Sequence, residues 1–147
     1  MFAPRPGRWV GLAAATLLIC SCGSSGPALP TGPPIITIDM SEYRYAYTQH
    51  IPSGRVIFRM VNTGHQVHEP NLFPLSDQVP PIDQQVRGGT RVVVAPYAAV
   101  LPRQPGQVGT FAVDLRAGQR YAFVCFARTA DNKTHASLGM AIEFRPK

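Results

Sequence analysis

Prolines break this chain at 52, 70, 74, 80, 81, 96, 102 and 105, so no long helix can run through its middle. Each one removes a backbone donor and fixes φ, which confines proline to turns, edges and element ends. With 15 prolines and 13 glycines in 147 residues, the chain favours short strands joined by many turns. Its length suits one ordinary domain.

Period-two alternation supports this. Ile36, Ile38 and Met40 alternate, as do Tyr43, Tyr45 and Tyr47, giving one or two strands. After the turn Pro52-Ser53-Gly54, Val56, Phe58 and Met60 share one face, and Asn62-Thr63-Gly64 closes that strand. Val67–Leu75 reads as an extended stretch, edge-like or irregular because of Pro70 and Pro74. Residues 76–109 read as a long excursion in which only Arg91–Val94 has strand character. Regularity returns at Thr110–Leu115, at Arg120–Phe126 with Tyr121, Phe123 and Cys125 on one face, and at Gly139–Phe144 with Met140, Ile142 and Phe144 on one side. About seven strands at this spacing predict an all-β, Greek-key two-sheet sandwich over 35–147.

The N-terminus has another character. Arg5 and Arg8 precede an apolar run, Val10–Ile19, of signal-peptide length, too short to cross a bilayer. Ile19-Cys20-Ser21-Cys22 resembles a bacterial lipobox, with the small Ser21 before the cut and Cys22 as the lipidated residue. Lipidation at Cys20 is the second choice, because it places Ile19 beside the cut, and an ordinary signal peptide cut near Ser25 is a further alternative. Residues 1–21 are thus expected to be a lipoprotein signal and 22–34, rich in Ser, Gly and Pro, a tether. The expected product is exported and held to the cell membrane by lipid.

Losing Arg5 and Arg8 lowers the formal charge from +6 to +4. The basic residues are scattered, so no nucleic-acid partner is expected.

If Cys22 carries lipid and Cys20 is removed, Cys125 is the one remaining thiol, with no disulfide partner. A lone thiol outside the cytoplasm is protected by burial or by a metal. His135 follows Cys125 after nine intervening residues and Met140 after four more. One loop between neighbouring strands brings thiolate, imidazole and thioether together, and a histidine from an earlier turn completes the set. Two histidines, a cysteine and a weak axial methionine form a blue-copper arrangement. Taken singly, each residue has an ordinary reading: buried apolar cysteine, surface histidine, core methionine. His50 and His65 read as surface histidines, and the tyrosines as strand packing.

On these residues the chain resembles the cupredoxins, the family of plastocyanin and azurin, over roughly 35–147. The resemblance implies a β-sandwich with Cys, His and Met on the last strand pair and an upstream His after an Asn-x-Gly turn. In Asn62-Thr63-Gly64-His65-Gln66-Val67-His68-Glu69 the better match is His68, with His65 open. The implied copper ligands are His68, Cys125, His135 and Met140. The Cys–His interval exceeds that of the small electron carriers and is nearer that of copper nitrite reductases; a longer loop is expected to loosen the site, with local turns at Asp131-Asn132 as the alternative that holds it. Val124 and Phe126 stand where copper enzymes of the family carry histidines for a second metal, so no enzyme is expected. No catalytic triad or phosphate loop is evident. The implied function is a membrane-anchored single-electron carrier with a redox or copper-donor protein partner. The alternatives are envelope copper storage or delivery, and a metal-free interaction module.

Overall fold

The structure, a computed structural model, describes Met1, Ala3 and residues 32–88 and 96–147. Everything below concerns the unit Gly32–Lys147. Apart from Met1 and Ala3, the expected signal segment, together with Cys22 and the expected strand Arg91–Val94, lies outside the described residues.

Among the described residues eight strands make two four-stranded sheets. One has the order β2 (Arg44–Ala46), β1 (Ile35–Ser41), β3 (Gly54–Asn62), β6 (Val108–Leu115). The other is ordered β5 (Ala98–Ala99), β4 (Asn71–Leu75), β7 (Arg120–Val124), β8 (Ala141–Phe144). β1 runs parallel to β3, with Ile36 opposite Phe58 and Ile38 opposite Met60; the other pairings are antiparallel. The chain crosses between sheets from β3 to β4, from β5 to β6 and from β6 to β7.

The alternating residues lie between the sheets as the pattern predicts. Ile36, Ile38, Met40, Val56, Phe58 and Met60 from the first sheet meet Leu72, Tyr121, Phe123 and Phe144 from the second, all buried. Phe123 sits edge-on to Phe58 at 5.1 Å and stacks on Phe144 at 5.6 Å. Such aromatic pairs add about 0.5–1.5 kcal/mol each beyond area burial. Among the described residues β5 pairs with Asn71 and Leu72 and stops short of Pro74, as suits a proline on an edge strand.

β7 is buried on both faces, and the excursion explains why. Ala122 and Val124 face outward into a second cluster with Phe73, Leu75, Ile82 and Ala136. Ile82 belongs to a helix, α1 (Ile82–Arg87), where the sequence suggested only irregular chain. At six residues it is too short to register as a 3.6-residue period, and Pro81 just before it is compatible with a helix start. Arg120, 8% exposed, ties the excursion down by donating to the carbonyls of Ser76 and Val79 and to both carboxylate oxygens of Glu143. No helix among the described residues is long and apolar enough to cross a membrane.

Candidate metal centre

The last two strands carry the sulfur and one imidazole. Cys125 falls one residue past β7, and its N–H still donates to the Met140 carbonyl at 3.1 Å, extending the ladder between β7 and β8 by one step. Met140 sits just before β8, and its N–H returns to the His135 carbonyl at 2.9 Å. His135 opens a single 3₁₀ turn, Ala136–Leu138.

The segment between Cys125 and His135 is a small hairpin, contrary to the expectation that its length loosens the site. Arg128 and Thr134 bridge antiparallel, and Thr129 and Lys133 share a backbone bond of 2.9 Å. Asn132 takes the left-handed conformation at the tip, φ 66°, as a short polar side chain allows. At its base, His135 N–H donates to Ala127 O and Ala136 N–H to Cys125 O, both at 2.9 Å. The closure entropy is met by local turns and a bridge, so the histidine is fixed to the strand end that bears the cysteine.

The upstream histidine is placed by Asn62. This buried amide donates to the carbonyls of Gln66 and Arg103 at 2.7 and 2.8 Å and accepts from Gly64 N–H at 2.9 Å. His68 then pairs with Arg103 through two backbone bonds, 3.1 and 2.9 Å. The turn points His68 into the protein, 0% exposed, and leaves His65 on the surface.

The three side chains converge. His68 Nδ1 and His135 Nδ1 are 3.2 Å apart, and Cys125 Sγ is 3.6 Å from His135 Nδ1. One donor atom from each lies within 4.8 Å of the others. Donors at this spacing suit one shared ion, since metal–nitrogen and metal–sulfur bonds run to about 2.0–2.3 Å. Met140, fully buried, belongs to the same core cluster as Cys125. Cys125 Sγ accepts the Glu69 N–H at 3.2 Å. Burial pushes the Cys125 thiol up, against the N–H groups of Glu69 and Ala127. Burial likewise lowers both histidines, with the neighbouring His135 lowering His68 further. Neutral imidazoles and a soft sulfur enclosed by protein form a donor set that fits copper.

Sequence reading missed part of the surroundings. Tyr43 belongs to no strand and lies edge-on to His135, ring centroids 4.9 Å apart; the buried Tyr45 donates its hydroxyl to the Glu69 carbonyl. Glu42 had drawn no attention. Its Oε1 accepts the N–H groups of His65 and Gln66 at 2.6 and 2.8 Å and lies 3.4 Å from His68 Nε2. Desolvation raises this carboxyl, but the His65 and Gln66 N–H groups, its own N–H and then His68 outweigh it, and its pKa falls to about 2. Outside His135 lies an open depression of about 850 Å³ bordered by Tyr43, His65, Gln104, Arg128, Lys133 and Leu138.

The two-sheet sandwich, with its buried His68–Cys125–His135 cluster at the end of the last strand pair, has a cupredoxin-like fold. Comparison with solved structures gives the same fold. The reduced auracyanin of the photosynthetic bacterium Roseiflexus castenholzii matches with TM-score 0.54 and 17% identity over 80% of this chain and 99% of its own. Auracyanin B matches at 0.54 and 16%, over 81% and 93%. An azurin from the obligate methylotroph Methylomonas sp. strain J matches at 0.52 and 14%, over 79% and 99%. At these identities the likeness is one of fold. No protein-family model matches the sequence, and no curated protein does.

Proposed function

We propose that this protein holds one copper ion between His68, Cys125 and His135, with Met140 as a weak fourth donor, and passes single electrons. We further propose that it works outside the cytoplasmic membrane, held there by lipid on Cys22. The observation that carries the copper reading is the convergence of two imidazole nitrogens and one sulfur, 0–1% exposed, at one end of a cupredoxin-type sandwich. The lipobox-like Ile19-Cys20-Ser21-Cys22 supports the anchor.

Bound copper supplies a one-electron couple; the chain supplies everything else. His68 and His135 present Nδ1, and Cys125 gives up its thiol proton on binding, with the Glu69 N–H stabilising the resulting charge on sulfur. Tyr43 and the sandwich keep water away. Donors fixed by the ends of β7 and β8, by the self-bonded hairpin and by the turn that Asn62 holds move little when the charge changes, which favours rapid exchange of one electron with a protein partner. His135 borders the outer depression and so lies nearest to such a partner. Storage or delivery of copper drew its support from a loose, exposed loop; the buried ligands and the bonded hairpin weigh against it.

Titration of the protein with Cu(II), followed by visible absorption and paramagnetic resonance, tests this reading. An intense thiolate band, lost in Cys125→Ser and His68→Ala, is expected. Copper bound without that band favours storage, and no binding leaves a metal-free module. Labelling with a fatty-acid analogue, lost in Cys22→Ala, tests the anchor.

A further inference from the structure

Each imidazole has two nitrogens at opposite ends of the ring. In His68, Nδ1 faces His135 and the sulfur, so Nε2 faces away and carries the proton when Nδ1 is a ligand. Nε2 is buried with no hydrogen-bond partner among the described residues. The polar group within its reach is the Glu42 carboxylate, Oε1 at 3.4 Å.

That carboxylate is built into place. It comes from the link between β1 and β2 and lodges in the turn after β3, where the His65 and Gln66 N–H groups grip the same oxygen that faces His68. Gly64 leaves the room: a Cβ there would lie 2.5 Å from Oε1 and 2.8 Å from Oε2. The Glu42 side chain keeps only 25% of its exposure. The His65 and Gln66 bonds clamp the turn, and a protonated ring nitrogen on a metal ligand is ordinarily oriented by such an acceptor.

We propose that Glu42 is a positioning residue for the metal centre: its carboxylate holds the His68 ring with Nδ1 inward and biases the centre toward the more highly charged state of its ion. Two effects act in the same direction. An Nε2–H facing a carboxylate makes Nδ1 a stronger base, and a fixed negative charge one ring away favours the higher positive charge. The inference rests on the copper reading for its redox half, while the ring orientation belongs to the chain itself.

The test compares the full chain with Glu42→Gln, which keeps an oxygen for the backbone N–H groups but loses the charge. Cu(II) and Cu(I) affinities are measured by competition and the potential by redox titration. Glu42→Gln is expected to lower Cu(II) affinity about 10-fold relative to Cu(I), which raises the potential by about 59 mV for one electron. A role limited to clamping the turn leaves the potential of a folded, copper-loaded Glu42→Gln protein unchanged, and that result overturns the proposal. If Glu42→Gln fails to fold, Glu42→Asp, which withdraws the charge by one methylene, decides by the same potential. If the unsubstituted chain takes up no copper, the copper reading fails separately. The nitrogen-resolved imidazole spectrum of the metal-free protein then judges the orientation: His68 protonated at Nε2 supports it, and protonation at Nδ1 alone overturns it.

Discussion

Arg120→Met separates what holds the sandwich shut from what holds the metal. The arginine side chain is 9% exposed and its partner Glu143 27%. The substitution removes hydrogen bonds of 2.8 and 3.2 Å to that carboxylate and two of 2.9 Å to the Ser76 and Val79 carbonyls. Breaking a buried pair by removing one partner costs about 3–5 kcal/mol. Glu143 keeps the Ile82 N–H and some water, and Ser76 is exposed, so the lower end, about 3 kcal/mol, is expected. At about 4 °C per kcal/mol for a domain of this size, the melting temperature falls by about 12 °C. Arg120 and Cys125 stand at opposite ends of one extended segment, about 16 Å apart at the rise of a strand, so copper affinity and colour stay as they were. Chemical denaturation of Arg120→Met, Glu143→Gln and the double variant reads both the loss and the coupling. A loss below about 1 kcal/mol puts this pair with exposed ones and refutes the reasoning.

Three further outcomes follow from the site. In the metal-free protein His68 and His135 are depressed, so between about pH 7 and 5 the unfolded chain binds protons that the folded chain refuses. Stability therefore falls as pH falls, by up to about 1.4 kcal/mol per histidine per pH unit; Glu42 extends the loss below the carboxylate range toward about 2, and denaturation at stepped pH showing no slope from 7 to 5 contradicts this. Asn62→Ala strands the Gly64 N–H and two carbonyls; it is expected to cost about 2–4 kcal/mol and to weaken copper binding, as chemical denaturation and competition titration would show. Asn132→Val forces a β-branched residue to φ 66° and is expected to cost about 1–2 kcal/mol, whereas Asn132→Gly is near neutral; equal melting temperatures for the two variants dispose of the strained-tip account.

The last strand pair was legible in the sequence because its information is local. Alternation put Phe123 and Cys125 on one face, and one loop carried His135 and Met140, so strand spacing and ligand spacing were read together. The choice between His65 and His68 was not local: it depends on an Asn62 side chain that bonds forward to Gln66 and across to Arg103. Glu42 was invisible for the same reason, since a single acid in a polar link has no period, and only folding carries it to His68. The parallel pairing of β1 with β3 and the six-residue α1 left no pattern. The expectation of a loose loop set the residue count between Cys125 and His135 above the local turns at Asp131-Asn132, and the structure shows those turns bonded into a hairpin.

That hairpin separates two requirements that the short ligand loops of small electron carriers must satisfy together. Its base, where Ala127 meets His135 and Cys125 meets Ala136, sets where the Cys125 and His135 donors stand. The tip from Arg128 to Lys133 borders the outer depression and contributes none of the three clustered donors. Side chains there that take no part in the Arg128–Thr134 bridge, the Thr129–Lys133 bond or the left-handed turn at Asn132 face the depression without touching the spacing of sulfur and imidazole. In the copper reading, the outward-facing tip is thereby set apart from the base that spaces the donors.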